Sequence, residues 1–119
     1  MKIVLIWASN NPEKFWNKIL KDLLNKGYKV YPVNPNNPEI EWIKTYKSIS
    51  NIPYDFDVVN FVVPPKITLS ILKNNKANLL NKKLWCQPGS SNQDVKEFLL
   101  ENEFKDFILD ACIMLEKID

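Results

Sequence analysis

Apolar and polar positions follow two different rhythms along this chain. Ile3-Val4-Leu5-Ile6-Trp7 is an unbroken apolar run, the mark of a parallel strand covered on both faces. A helical period replaces it: Phe15, Trp16, Ile19, Leu20, Leu23 and Leu24 recur on one helix face. Asn11 suits the N-cap of that helix, Pro12 its first position, and Gly27 the left-handed position just past its end. Tyr28 to Val33 reads as a second strand, ended by Pro32 and the Asn34-Pro35 pair. Residues 35–56 are mixed and broken by Pro35, Pro38 and Pro53. They predict a short helix near 39–43, a short edge strand near 45–47 and a helical turn at 48–51.

The second half repeats the alternation. Val58-Val59-Asn60-Phe61-Val62-Val63 is another buried strand, and Pro64-Pro65 stops it and opens a helix through Ile67, Ile71 and Leu72. Leu84-Trp85-Cys86-Gln87 is a short strand and Pro88-Gly89-Ser90-Ser91 a turn. The next helix carries Val95, Phe98 and Leu99 inward, with Asp94 favourably placed in its first turn. Phe107 to Asp110 closes the series. Strands are therefore expected near 2–7, 28–33, 58–63, 83–87 and 106–110, with the first and third paired at the centre. Such alternation gives a three-layer α/β/α sandwich: a parallel sheet of five or six strands, right-handed crossovers, and one domain over residues 1–119.

Composition narrows the chemistry. Apolar residues make up 45% and charged ones 25% of the 119, an ordinary globular balance. No apolar run approaches the length of a membrane span, and the opening apolar run is shorter than the roughly 7–15 residues of a signal peptide, which predicts a cytoplasmic protein with no membrane partner. All 16 basic residues are lysine, and there is neither arginine nor histidine. Imidazole catalysis and histidine metal sites are excluded. A nucleic-acid partner is disfavoured, since no basic stripe or arginine fork exists. Cys86 and Cys112 are too few for a structural zinc site. They read as free thiols in a reducing compartment, with a disulfide open to them under oxidation because they end neighbouring strands.

Parallel sheets of this kind take ligands outside the carboxyl ends of their strands, where strand order reverses. The first such turn, Trp7 to Lys14, contains no glycine and so lacks a dinucleotide fingerprint. It still offers small Ala8 and Ser9 ahead of a helix N-terminus at Asn11, a combination that favours an anion. Lys14 opposes the helix dipole, which leaves it as a phosphate partner or a plain surface lysine. Ser9 is a phosphate ligand or a turn cap. Asn34 stands where a nicotinamide site carries an acid and would not repel a phosphorylated ribose; with Pro35 it also reads as a simple turn. Pro64 and the Gln87-to-Ser91 turn end the next two strands. No convergent acid–base pair marks a catalytic centre.

Five segments in order then resemble a known family. Ala8-Ser9 with Asn11-Pro12-Glu13-Lys14, Gly27-Tyr28-Lys29-Val30 with Val33-Asn34-Pro35, Pro64-Pro65, Trp85-Cys86-Gln87-Pro88-Gly89 and Asp110-Ala111-Cys112-Ile113 are similar to the motifs of the small single-domain CoA-binding proteins. These in turn are related to the CoA-binding N-terminal domain of the succinyl-CoA synthetase alpha subunit. The resemblance implies a Rossmann-like fold and CoA or acyl-CoA as ligand. Ala8, Ser9, Asn11 and nearby amides would hold the pyrophosphate, with charge from Lys14. Asn34 and Pro35 would line the nucleotide side, and Pro64, Gln87 and Gly89 the pantetheine path. Two other roles stay open: a degenerate nucleotide-fold module that acts through a homodimer or another partner, and the CoA-site subunit of an acyl-CoA ligase. Trp7 replaces a family glycine and Ala111 a family arginine. The Trp7 indole either packs sideways against neighbouring helices or overhangs the turn; the second is expected, with weakened binding, because a buried role on such a strand more naturally uses Val or Ile.

Overall fold

The computed structural model of the chain describes residues 1–7, 15–36 and 43–115. The first strand, β1 (Lys2–Trp7), is buried from Ile3 to Trp7 without a gap, so it needs cover on both faces. β2 (Lys29–Val33) and β3 (Val58–Val62) flank it in parallel, and β4 (Lys83–Cys86) and β5 (Phe107–Ile108) follow, giving the order β2-β1-β3-β4-β5. Register is even across the centre: Ile3 pairs with Val58, Leu5 with Asn60 and Trp7 with Val62. The central pairing expected from sequence is the one observed.

Side chains alternate between two cores. Ile3, Leu5, Trp7, Val30, Val58 and Trp85 meet helix α1 (Phe15–Asn25) on one face. Val4, Ile6, Val33, Val59 and Phe61 meet α2 (Pro65–Asn74), α3 (Lys76–Leu79) and α4 (Gln93–Glu101) on the other. The sheet is thus enclosed as the α/β/α sandwich predicted, with five strands. Among the described residues no helix is long and apolar enough to cross a membrane.

Local signals end the elements. Gly27, at φ +88°, closes α1: its N–H reaches the Leu24 carbonyl at 3.0 Å and the Tyr28 N–H reaches that of Leu23 at 3.1 Å, a Schellman arrangement. Asn92 caps α4 by accepting from the Val95 N–H at 3.0 Å. The predicted cap of α1 at Asn11 and Pro12, and most of the short helix at 39–43, fall outside the described residues. The helical turn at 48–51 is present as a 3-10 helix over Ile49–Asn51. The edge strand at 45–47 reduces to one bridge, Tyr46 to Val33. The last strand is shorter than the expected 106–110, because Asp110 at φ +56° leaves the extended conformation.

Trp7 requires a correction. It does not overhang the turn; it is fully buried and stacked on Trp16, with ring centroids 4.5 Å apart and planes 16° from parallel. Strand alternation sends residues 3, 5 and 7 to the α1 face, where Trp16 stands in the first turn of the helix. The indole is consumed in the core, and weakened binding through an overhanging ring loses its ground. Trp7→Ala is expected to cost about 3–5 kcal/mol, the range for a buried aromatic, and to lower the midpoint of urea unfolding without changing its slope. A loss under ~1 kcal/mol would show that the stack contributes little.

Candidate functional site

The strand order decides where a ligand can enter. β1 connects to β2 through α1 on one face, and β3 connects to β4 through α2 and α3 on the other. The chain therefore leaves the carboxyl ends of β1 and β3 in opposite directions, which opens a crevice between them. A cavity of about 250 Å³ occupies this place. The strand ends Ile6, Val33 and Val63 form its floor, and Ile49, Ile67 and Ile71 its apolar walls. Polar groups come from Lys47, Ser48, Ser70 and Asn75, with Pro35 at the β2 side.

These lining residues are held in place by the backbone. Tyr46 is clamped beside β2, its N–H on the Pro32 carbonyl at 2.9 Å and its carbonyl accepting from the Asn34 N–H at 2.8 Å. Lys47 therefore emerges next to Pro35. Ser48 donates to Asn51 Oδ1 at 2.5 Å and meets Ser50 Oγ at 2.8 Å, which folds the 3-10 turn against the cavity. The Pro64 carbonyl accepts from the N–H groups of Ile67 and Thr68 and starts α2 directly off the end of β3.

The sequence candidates fall into three groups. Ala8, Ser9, Asn11 and Lys14 lie outside the described residues. Pro35 lines the cavity. Asn34, Pro64, Gln87 and Gly89 stand at the carboxyl ends of their strands but do not line it; Pro64 and Gly89 are exposed, and Asn34 and Gln87 are buried. The two carboxamides share a pattern. Asn34 Oδ1 accepts from the Asn36 N–H at 2.9 Å, and Gln87 Oε1 accepts from the Ile113 N–H at 2.8 Å. Among the described residues each nevertheless has no partner for its buried NH₂ group, and the Trp7 indole N–H has none either. The ends of β1, β2 and β4 thus each present an unmatched donor, and what they lack is an acceptor. Sequence reasoning missed Lys47, Ser70 and Asn75; the last two sit about one and a half and nearly three turns beyond Pro65, in or just past a helix that carried no polar motif.

On the opposite side of β4 from α4, residues 111–114 are strapped to the sheet. Trp85 Nε1 donates to the Ala111 carbonyl at 2.8 Å, the Ala111 N–H to the Cys86 carbonyl at 3.2 Å, and Lys26 Nζ to the Met114 carbonyl at 2.9 Å. Gln87 is the fourth tie, through Ile113.

Together these features define an α/β domain with a crevice at the switch in strand order, apolar within and edged by Lys47, Ser48, Ser70 and Asn75. Comparison with known proteins gives it a family: residues 1–117 match the CoA binding domain, and the chain belongs to that family. It is 41% identical over 71 residues to the alpha subunit of an ADP-forming acetate–CoA ligase (form II) of Pyrococcus furiosus, a match covering 59% of this chain and 16% of that protein. To the ADP-forming acetate–CoA ligase of Methanocaldococcus jannaschii it is 31% identical over 104 residues, covering 87% of this chain and 14% of the ligase. The chain thus spans less than a fifth of the length of these two ligases. Among solved structures, a conserved hypothetical protein of Pyrococcus furiosus superposes with a TM-score of 0.87 at 46% identity, covering 98% of both chains.

The two thiols differ in environment. Cys86 is buried in the core against α2 and α4, and burial pushes its pKa from 9.0 up to about 12; Cys112 is half-buried. Both are free, and Ala111 and Ile113 on either side of Cys112 pack in the other core. At pH 8, iodoacetamide is expected to label Cys112 in the folded chain and Cys86 only on unfolding. Because the folded state retains the Cys86 proton, this thiol's contribution to stability is full below pH 9 and is lost as pH rises from 9 toward 12. Equal labelling rates, followed by peptide mass spectrometry, would contradict this assignment.

Proposed function

We propose that this chain binds CoA or an acyl-CoA at the crevice between β1 and β3. The observation that carries the reading is the apolar crevice between the diverging ends of β1 and β3, in a chain whose residues 1–117 match the CoA binding domain. At the ends of β2 and β4, Asn34 Nδ2 and Gln87 Nε2 are buried donors without acceptors among the described residues. CoA is rich in acceptors: phosphate oxygens and the amide carbonyls of its pantetheine arm. It also carries a planar ring that suits a cavity walled by isoleucine and valine. The residues present therefore fit the ligand that the family match suggests.

In this reading the adenosine end lies over β2 near Pro35, as nucleotides do in doubly wound sheets. The pyrophosphate faces the turn with Ala8, Ser9 and Asn11 at the start of the first helix, with charge from Lys14. The pantetheine arm passes Pro64, Gln87 and Gly89. The chain's own residues bind and orient the ligand; no pair of side chains is assigned a proton transfer. A second reading, in which the chain serves as the CoA site of a larger ligase assembly, is favoured by its identity to the Pyrococcus furiosus ligase alpha subunit.

Thermal unfolding with CoA, pantetheine, NAD and ATP tests the first reading. At a hundredfold excess over Kd, CoA is expected to add about 2.7 kcal/mol and raise Tm by roughly 10 °C, with NAD and ATP far behind. Lys14→Ala should weaken CoA by ~1 kcal/mol and leave pantetheine unchanged. Equal affinities of the wild-type chain for CoA and pantetheine would rule out a phosphate site. Affinity purification from native cells that brings down a ligase subunit would favour the second reading.

A further inference from the structure

We propose that the amino end of the sheet carries a second ligand site, a cleft walled by lysine and tyrosine at the start of β1 and β2 that binds a nucleoside polyphosphate. This cleft lies at the opposite end of the strands from the crevice and owes nothing to what the crevice holds.

The cleft has a volume of about 540 Å³, and Lys2, Lys29, Lys44, Tyr31, Tyr46 and Tyr54 all line it. Lys2 opens β1 and Lys29 opens β2, and the two are register partners on neighbouring strands. Like charges directly opposite each other destabilise a sheet, so the stability of the fold gives no reason for this pair. Lys44 adds another exposed cation, its Nζ 5.6 Å from the centre of the Tyr46 ring. The carboxylates beside Lys2 are already engaged: Asp57 Oδ2 accepts from the Lys2 backbone N–H at 2.8 Å, and Asp55 pairs with Lys82 at 2.7 Å. Among the described residues no aspartate or glutamate lines the cleft, and the ion pairs engage Lys26, Lys82 and Lys83 instead of these lysines. A partner with several negative charges is what the group lacks.

The tyrosines supply an aromatic half. Tyr31 and Tyr46 are 5% and 8% exposed and meet edge to face, with ring centroids 6.3 Å apart. Tyr54 stacks on Tyr31 at 5.6 Å with planes 15° from parallel, yet remains 57% exposed. A ring held by a stack on one side and open on the other is a platform for a further planar ring. Burial, then the neighbouring Tyr54 and Tyr31, push the Tyr46 phenol up, so it stays a hydroxyl donor. Cations and phenol donors beside a stacking ring match a nucleobase joined to a chain of phosphates. A bare polyphosphate or an uncharged ring would use only half of the cleft.

NMR titration of the ¹⁵N-labelled full chain with ATP, adenosine and inorganic tripolyphosphate, at low ionic strength, tests this. ATP is expected to shift the amides of Lys2, Lys29, Tyr31, Lys44 and Tyr54 and to leave those of Ser70 and Asn75 in the crevice unmoved. It should bind about tenfold tighter than adenosine and about fivefold tighter than tripolyphosphate, the first ratio shrinking with added salt. Lys29→Gln combined with Lys44→Gln should weaken ATP about tenfold. The melting temperature of that variant should hold or rise, because the repulsion between Lys2 and Lys29 is gone, which separates the effect from misfolding. Tyr54→Ala should bring ATP down to the level of tripolyphosphate and leave tripolyphosphate unchanged. ATP affinity unchanged in the double lysine variant, or shifts confined to the crevice, would overturn the site. Equal affinities of the wild-type chain for ATP and tripolyphosphate, or tighter binding of a single-stranded oligonucleotide on the same amides, would overturn a nucleoside polyphosphate as its occupant.

Discussion

Everything in this fold depends on the need to cover β1 on both sides. Residues Ile3 to Trp7 are all removed from water, so neither face of the strand tolerates solvent. One helix cannot satisfy that need. The chain places α1 on one face and α2 with α4 on the other, and each packs against side chains of alternate parity from the central strands. Because right-handed crossovers on opposite faces must run in opposite directions, the chain diverges above β1 and β3. The crevice is the geometric residue of hydrophobic burial, and chemistry needs only to line it.

The lining has a thermodynamic consequence. A buried donor with no acceptor costs roughly 1–3 kcal/mol against its hydrated state. This domain keeps such donors at the ends of β1, β2 and β4, and a whole unmatched carboxamide at Asn60, between Leu5 and Trp85 in the middle of the sheet. The strand-end donors are destabilising as they stand. Asn60 lies deeper, in the row below Trp7, Val62 and the strand ends, and nothing in the structure explains it.

Much of the fold was legible because it is written in periodicity. The apolar runs at 3–7 and 58–63, the helix stripe from Trp16 to Leu24 and the glycine at 27 each carry a local signal, and the elements follow them. Trp7 differs from expectation for a physical reason: a buried place on such a strand favours valine or isoleucine by propensity, whereas the stack on Trp16 is set by tertiary packing that no local window contains. The site was legible only in part. Strand ends can be found from strands, which located Pro35. Lys47, Ser70 and Asn75 reach the crevice through the bridge at Tyr46 and the path of α2, and no motif announces such long-range placement.

The margins of the sheet also shape how this protein behaves in company. Pro32 contributes no N–H to the outer side of β2, its carbonyl there is taken by Tyr46, and Lys29 brings a charge to the start of the strand. At the far margin β5 is only two residues long, and the left-handed Asp110 turns the chain away soon after it. Neither border offers a long, flat template on which another chain could add strands. A sheet in which half of the strand residues are valine, isoleucine or tryptophan would otherwise invite accretion at its edges at high concentration. Here the same proline and the same abrupt ending that delimit the domain act as a brake on amyloid-like growth.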